Sequence, residues 1–138
     1  MKRIYLAHPF EERRRIREWE KNFERENPHL ELFNPFYDAD RTDIDAIDRG
    51  EKTRYELSVD VVKRDLSNLA VSDWALAFVS DGVPSIGTIM EIVYAHIFRI
   101  PVAVIAKKEY NHPWIVQHAI VRFKSIEEFE SWWREARW

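Results

Sequence analysis

Short apolar segments alternate with longer amphipathic stretches along the chain, and this alternation limits the possible folds more than any other feature. Two segments, Trp74–Val79 and Pro101–Ala106, are apolar throughout and predict strands buried on both faces. Shorter segments at Ile4–Ala7, Leu30–Phe33 and Ile120–Phe123 predict three more strands. Strands that alternate with helices form parallel sheets with helices on both faces. We therefore expect an α/β fold built on a parallel sheet of about five strands.

The amphipathic stretches predict the helices. Their expected bounds are Phe10–Asn27, Thr53–Leu69, Gly87–Arg99 and Ser125–Arg137, with a helical turn preceding the last strand within Trp114–Phe123. The stretch Asn34–Gly50 has five aspartates and little periodicity, which indicates a loop. A loop of this length is long for a compact domain, so it serves either as a lid over a ligand or as a simple connection.

The composition indicates a single folded domain over residues 1–138. With 46% apolar residues, the chain can bury a core and is not intrinsically disordered. The net charge is −3 and both signs are mixed along the chain, so no basic face predicts binding to a nucleic acid polymer. We find neither a signal peptide nor an apolar run near the ~20 residues of a membrane span, so we expect a cytoplasmic protein.

Cysteine and histidine usage bears on metals and cofactors. The chain has no cysteine, which excludes disulfides and thiolate metal sites and is compatible with a reducing cytosol. Its five histidines show no spacing typical of metal ligands. We therefore predict no metal site and no cofactor.

The loop after the third predicted strand, together with the helix that follows it, carries the strongest chemical signal. Ser85 can cap that helix, and Gly87 lets the backbone approach a ligand closely. Free N–H groups at a helix start favour an anion such as phosphate. Glu91 is expected near the first turn, where the positive helix end helps to keep it ionised. An ionised carboxylate beside a bound sugar can attack the anomeric carbon.

Asp65 supplies a second carboxylate, and Tyr5 on the first strand supplies a hydroxyl that can tune Glu91. Two carboxylates suit glycosyl transfer with retention, in which one forms a covalent intermediate and the other assists the leaving group. Each residue also has a structural interpretation. Glu91 can simply favour a helix start, Asp65 can be a surface charge beside Arg64 or Lys63, and Tyr5 can be a core residue.

Aromatic side chains near the same strand ends are candidates for contact with a ligand. Phe10 and Phe36 follow the first and second strands and can stack on a planar base. His8 lies between the first strand and Phe10 and is a candidate binding residue. In a chain with 14% aromatic residues, packing roles for these phenylalanines, and a plain loop position for His8, are the competing interpretations.

Taken together, these motifs resemble the nucleoside 2-deoxyribosyltransferase family over nearly the whole chain. The resemblance is carried, in chain order, by Ile4-Tyr5-Leu6-Ala7 with His8-Pro9-Phe10, Glu26-Asn27-Pro28, Asn34-Pro35-Phe36, Asp65-Leu66, Ser72-Asp73 and Gly87-x-x-x-Glu91-Ile92-x-Tyr94-Ala95. It implies a flavodoxin-like (Rossmann-like) sheet, a nucleophile at Glu91, a carboxylate near the base at Asp65 and a tyrosine at Tyr5. It also implies a homodimer or higher homo-oligomer whose sites borrow residues from a neighbour.

Two positions depart from the pattern of the transferases. Those acting on free nucleosides carry aspartate six residues before the nucleophile, where this chain has Ser85. The related 2′-deoxynucleoside 5′-monophosphate N-hydrolases carry serine there, in contact with the 5′-phosphate, and a carboxylate would repel that phosphate. Near Pro113 the family places an asparagine or serine that is donated to the neighbouring subunit, and Asn111 and His112 are the nearest candidates here.

The resemblance and the residues together predict an enzyme of nucleotide metabolism. It would cleave the N-glycosidic bond of a (2′-deoxy)nucleoside 5′-monophosphate through a covalent glycosyl intermediate on Glu91, releasing free base and sugar phosphate. A transferase that moves deoxyribose between bases is the first alternative, and a catalytically inactive nucleotide-sensing module is the second. The expected partner is a small-molecule nucleotide or nucleoside, and the identity of the base stays open.

Overall fold

The computed structural model describes residues 1–39, 42–51, 53, 58–83 and 85–136. One sheet contains the strands β1 (Lys2–Ala7), β2 (Leu30–Phe33), β3 (Trp74–Val79), β4 (Val102–Ala106) and β5 (Val121–Phe123). Every neighbouring pair is parallel, and the spatial order is β2-β1-β3-β4-β5. This is the flavodoxin-like order, so the prediction of an α/β fold with a parallel sheet is confirmed.

Helices connect the strands. Their bounds are α1 (Arg13–Glu26), α2 (Thr42–Asp48), α3 (Ser58–Ala70), α4 (Ile86–Ile97), α5 (Pro113–His118) and α6 (Ile126–Glu135), and a 3-10 turn at Phe10–Glu12 precedes α1. Most of these bounds lie within a few residues of the predicted ones. The predicted start of the second helix at Thr53 is not part of α3, and residues 54–57 lie outside the described residues.

One prediction about the elements is wrong. The stretch Asn34–Gly50 was expected to be a loop, yet it contains α2. This helix spans fewer than two turns and three of its seven residues are aspartates, so it is too short to show a periodic signal. Its Ala46 is buried and its Ile47 is partly buried.

Alternate residues of each strand point to opposite faces of the sheet and build two core layers. On one face, Tyr5 and Ala7 of β1 pack with Leu69 of α3 and Ile92 of α4. On the other face, Leu6 and its neighbours pack with residues of α1 and α6. The side chain of Tyr5 therefore lies on the face that α3 and α4 cover.

The strand order creates a crevice at one end of the sheet. From β1 the chain moves outward to β2, whereas from β3 it moves in the opposite direction to β4. Ligands of such sheets bind at the carboxyl ends of the strands, at the point where the order reverses. The segments that follow β1 and β3 therefore flank the expected binding crevice.

Candidate active site

Glu91 lies on the side of α4 that packs toward β1 and α3. It is the sixth residue of the helix and thus lies beyond the first turn, where it was expected. Its Oε2 atom is enclosed and has no hydrogen-bond partner among the described residues. A Cβ atom added to Gly87, one turn earlier, would lie 3.9 Å from Glu91 Oε1. Because glycine has no side chain, it leaves that side of the carboxyl group uncovered.

The ionisation of Glu91 differs from the expectation. Burial raises the pKa of its carboxyl group from 4.5 to about 8, while the Tyr5 hydroxyl opposes this rise and the negative charge of Asp65 adds to it. The expectation that the helix end keeps Glu91 ionised is wrong, because that effect is worth only ~0.3–1 kcal/mol and fades within the first turn. At neutral pH the carboxyl group of Glu91 therefore mostly holds a proton.

Tyr5 is fully buried on β1 and stacks on Phe33, with ring centroids 5.9 Å apart. Burial and the negative charges of Glu91 and Asp65 raise the pKa of Tyr5 well above its ordinary value, and Arg64 opposes them. Tyr5 therefore stays a neutral hydroxyl and a potential hydrogen-bond donor at neutral pH. Within the described part of the chain, that hydroxyl makes no hydrogen bond of standard geometry.

Asp65 lies on α3 and forms an ion pair with Arg64. The Arg64 Nε and Nη2 atoms are both 3.1 Å from Asp65 Oδ1. Burial raises the pKa of Asp65, and the adjacent guanidinium opposes this rise. Asp65 pairs with Arg64, and it also lies close enough to Tyr5 and Glu91 to raise their pKa values. Its role beside a base stays a prediction.

Thr88 is a candidate that the sequence analysis missed. Its side chain is buried, and its Oγ1 atom has no hydrogen-bond partner among the described residues. Thr88 precedes Glu91 by three residues, so both lie on one face of α4, and this spacing was the available signal. We use the name carboxylate cluster for four residues: Tyr5, Asp65, Thr88 and Glu91. Buried polar atoms normally have partners, so a ligand rich in hydroxyl groups would satisfy atoms that the fold leaves unpaired.

Ser85 occupies the N-cap position of α4, as expected, but its side chain makes no capping hydrogen bond. The hydroxyl group is therefore not engaged by the first turn of the helix. A cavity of about 850 Å³ opens beside it, at the carboxyl ends of β3 and β4, and its polar lining includes Lys108 and His112. Ser85 lines this cavity, whereas Glu91, six residues later along the chain, does not.

The predicted aromatic residues come together at the ends of β1 and β2. The rings of Phe10 and Phe36 lie edge to face at 5.5 Å, and the His8 ring is 5.0 Å from Phe36. The Arg13 guanidinium lies 3.8 Å above the centre of the Phe10 ring. Both phenylalanines are only half-buried, so each keeps accessible surface near the crevice.

His8 is buried and fully engaged within the fold. Its Nδ1 atom is 3.0 Å from the Pro9 carbonyl oxygen, and its Nε2 atom is 3.1 Å from Asn34 Oδ1. The Asn34 amide also donates to Glu20 Oε1, so this group of polar side chains links β1, α1 and the end of β2. Substrate binding by His8 stays a prediction, because a ligand would have to displace one of these contacts.

Asn111 lies apart from the carboxylate cluster. It is exposed in the segment between β4 and α5, where its Oδ1 atom accepts a hydrogen bond from Arg122 at 3.3 Å. An exposed position is compatible with donation to a neighbouring subunit, which remains a prediction.

Two further observations concern metals and membranes. Among the described residues, no group of three or more histidine, aspartate or glutamate side chains is arranged to hold a metal ion. In the same part of the chain, no helix has both the length and the apolar character needed to cross a membrane.

Comparisons with known proteins give similarity at the level of structure. No protein-family model and no curated protein matches the sequence. A 2-deoxyribosyltransferase from Bacillus psychrosaccharolyticus has a TM-score of 0.69 and 21% identity, covering 93% of this chain and 90% of that one. A CMP N-glycosidase from Clostridium botulinum has a TM-score of 0.58 and 16% identity, covering 96% and 98% of the two chains.

A conserved protein from Enterococcus faecalis is a third similar structure. It has a TM-score of 0.58 and 17% identity, covering 99% of this chain and 77% of that one. At these identities the likeness establishes a shared fold. The function has to be argued from the site itself.

Proposed function

We propose that the chain is an enzyme that cleaves the N-glycosidic bond of a (2′-deoxy)nucleoside 5′-monophosphate. One observation carries the proposal: Tyr5 of β1, Asp65 of α3 and Glu91 of α4 lie close together, since Asp65 and Glu91 both raise the pKa of Tyr5, and Asp65 also raises the pKa of Glu91. Strongly shifted pKa values in a crevice are a feature of catalytic sites. The structural likeness to a 2-deoxyribosyltransferase and to a CMP N-glycosidase supports the same chemistry.

The proposed first step is attack by the ionised Glu91 carboxylate on the anomeric carbon of the sugar. The bond from that carbon to the base breaks, its electron pair leaves with the base, and a glycosyl ester forms on Glu91. The proton lost from Glu91 balances the proton that the departing base gains. Tyr5 donates a hydrogen bond that stabilises the Glu91 carboxylate before attack, which agrees with its lowering effect on the pKa of Glu91.

The proposed second step resolves the ester. Water attacks the anomeric carbon, the carbon–oxygen bond to Glu91 breaks, and the free carboxyl group is restored with one proton from the water. The product is a sugar phosphate with a hydroxyl group at the anomeric carbon. A nucleoside 2-deoxyribosyltransferase is the alternative, in which a second base takes the place of water.

The start of α4 supports a substrate with a 5′-phosphate. The hydroxyl group of Ser85 is not used for capping, and the free N–H groups of a helix start favour an anion. Lys108 lines the same cavity as Ser85 and contributes a positive charge, beside the carboxylates of Asp81 and Glu109 in the same lining. We propose that the phosphate lies between Ser85 and the first turn of α4, with the sugar directed toward Glu91.

We also propose that the active form is a homo-oligomer. Exposed apolar side chains form one stripe along α4, since Ile86, Met90 and Ile97 are 81%, 50% and 62% exposed and share one side of the helix. Trp114 of α5 lines the same cavity as Met90 and is also exposed. Contiguous exposed apolar surface of this kind is typical of protein–protein interfaces.

The decisive experiment measures release of free base by chromatography from a panel of nucleosides and their 5′-monophosphates. We expect release from monophosphates by the unaltered protein and a loss of at least a thousandfold in Glu91→Gln. The exposed Glu127→Gln on α6 is the matched control and should keep full activity. Release from free nucleosides alone would overturn the phosphate assignment. Adding a second base identifies a transferase by formation of a new nucleoside or nucleotide.

A catalytically inactive nucleotide-sensing module is distinguished by the same assay. Such a module would bind nucleotide and release no base from any substrate. Binding would then be unchanged in Glu91→Gln, and the proposal of catalysis would be abandoned.

A further inference from the structure

The geometry of Arg64 and Asp65 bears on which base the site accepts, and this inference rests on the proposed function. Both Arg64 Nε and Arg64 Nη2 approach the same oxygen, Asp65 Oδ1, at 3.1 Å. The other oxygen, Oδ2, has no hydrogen-bond donor within the described part of the chain. The Asp65 side chain nevertheless keeps 16% exposure, so Oδ2 remains open to a partner.

The charge of the pair determines what kind of partner fits. Arg64 is permanently positive, and its guanidinium favours the ionised form of the adjacent carboxyl group. An ionised carboxylate only accepts hydrogen bonds, whereas a protonated one can also donate. With Oδ1 already occupied, Asp65 therefore offers one strong acceptor, Oδ2, and no donor.

Nucleobases differ in whether they supply a donor at the matching edge. Cytosine and adenine carry an exocyclic amino group that donates hydrogen bonds, whereas uracil and hypoxanthine carry an oxygen at the equivalent position that only accepts. An oxygen that faced Oδ2 would bring two acceptors together and leave both unpaired. Unpaired buried polar groups are what make a site reject a substrate analogue strongly.

We propose that Asp65, held by Arg64, selects nucleotides whose base carries an exocyclic amino group over their oxo counterparts. Asp65 contacts the base, and Arg64 is a positioning residue that acts through Asp65. This assignment makes Asp65 an acceptor for the bound base, distinct from a proton donor to the leaving base. A proton donor would favour a partner with a lone pair and would gain nothing from an adjacent guanidinium.

The test compares two nearly isosteric pairs of nucleotides, CMP with UMP and AMP with IMP. Base release gives kcat/KM for each nucleotide, and calorimetry on Glu91→Gln gives the Kd. We expect the amino member to be preferred by about tenfold or more, in both measurements, in each pair that the protein binds. A smaller ratio in a pair that the protein binds, or a preference for UMP or IMP, would overturn the proposal.

Variants of Arg64 and Asp65 show whether the two residues select the base or only stabilise the local structure. Asp65→Asn presents both a carbonyl and an amino group, so its ratio of amino to oxo substrates should fall close to one or invert. Arg64→Gln should lower the preference for amino over oxo substrates, and Arg64→Lys should keep part of that preference. Asp60→Asn on the exposed side of α3 is the matched control and should keep the ratio of the unaltered protein. If Asp65→Asn keeps the preference of the unaltered protein for amino over oxo substrates, other residues select the base.

Failure of this inference differs from failure of the proposed function. If the protein releases base equally well from the amino and oxo members of each pair, the proposed function holds and Asp65 does not select the base. No base release from any nucleotide would remove the function. Calorimetry on the unaltered protein would still decide the inference in that case, since equal or undetectable affinity for the two members of each pair contradicts it.

Discussion

At the scale of single residues, the proton on Glu91 is the main consequence of burial in the carboxylate cluster. A nucleophilic carboxylate has to be ionised, yet the pKa of Glu91 is about 8. Under the proposed mechanism, the fraction of protein ready to attack therefore rises with pH throughout the neutral range. Tyr5 lowers the pKa of Glu91 and so increases this fraction.

The pH profile of kcat/KM tests this point. We expect kcat/KM to rise by about tenfold per pH unit from pH 6 to 7 and to level off above about 8, because it follows ionisation of Glu91 in the free enzyme. Tyr5→Phe removes the hydroxyl that lowers the pKa of Glu91, so its midpoint should move to higher pH. Tyr94→Phe, elsewhere on α4, is the control and should leave the midpoint unchanged. A midpoint near 4.5 in the unaltered protein contradicts the effect of burial.

The same carboxyl group makes stability depend on pH. Glu91 has a pKa of about 8 in the folded chain and an ordinary value of 4.5, so the unfolded chain loses this proton at lower pH. The contribution of Glu91 to the free energy of unfolding is therefore fully present below pH 4.5 and is lost as pH rises toward 8. We expect the free energy of unfolding of Glu91→Gln to exceed that of the unaltered protein by about 3 kcal/mol at pH 7 and by less than about 1 kcal/mol at pH 5.

Urea denaturation at the two pH values measures this difference. Glu127→Gln removes an exposed carboxylate from α6 and corrects for the change in net charge. If Glu91→Gln gains no more stability at pH 7 than at pH 5, the carboxyl group is not held in its protonated form.

Sequence analysis identified the titratable side chains of the candidate site but not their protonation states. It identified Glu91, Asp65 and Tyr5 because each has a type and a spacing that suit glycosyl chemistry. It did not find Thr88, whose role depends on an enclosed hydroxyl without a partner, which only three-dimensional packing reveals. It also expected Glu91 to be ionised, because a helix end is visible in a sequence whereas the extent of burial is not.

At the scale of elements, α4 and α6 both begin after a serine, but only one of the two serines caps its helix. Ser125 caps α6 and accepts a hydrogen bond from the Glu128 N–H group at 3.2 Å. Glu128 Oε2 in turn accepts a hydrogen bond from the Lys124 N–H group at 2.7 Å. Ser85 occupies the corresponding position of α4 but makes no such bond. One serine therefore stabilises its helix, whereas the hydroxyl group of the other is not used for capping.

Alanine substitutions at the two serines should separate these roles. Ser125→Ala should lower the free energy of unfolding by about 1 kcal/mol through loss of the cap, without affecting catalysis. Ser85→Ala should change stability by less than about 0.5 kcal/mol and raise the KM for monophosphates at least tenfold. Ser85→Asp should weaken monophosphate binding further by charge repulsion. Denaturation and steady-state kinetics measure both effects, and a large stability loss in Ser85→Ala would contradict a ligand role.

Prediction of the elements succeeded where apolar residues recur over several turns or form an unbroken run. The strand β3 was predicted with its observed bounds, and α4 to within two residues at its end, because both are strongly apolar. The helix α2 was missed because it is short and mostly polar. Local periodicity cannot reveal a helix of fewer than two turns.

At the scale of the whole molecule, the apolar stripe of α4 predicts self-association. Light scattering after size exclusion should give a mass of at least two chains. Ile97→Lys places a charge in the stripe, at the end of α4 remote from Ser85, and should produce monomers. Val71→Lys is a matched control, because Val71 is 66% exposed at the end of α3 and lies outside the stripe. A monomeric unaltered protein, or an Ile97→Lys variant with unchanged mass, contradicts this interface.

The division of the core into two layers has a consequence for how the protein can change over generations. The carboxylate cluster depends on the layer beneath α3 and α4, whereas the layer beneath α1 and α6 supplies none of its members. Random mutation followed by selection for heat tolerance should therefore accumulate substitutions in the α1 and α6 layer, since changes there alter folding energy without moving the reacting groups. Selection for new substrates should instead accumulate substitutions in the α3 and α4 layer. The two faces of one sheet can therefore change separately under the two kinds of selection.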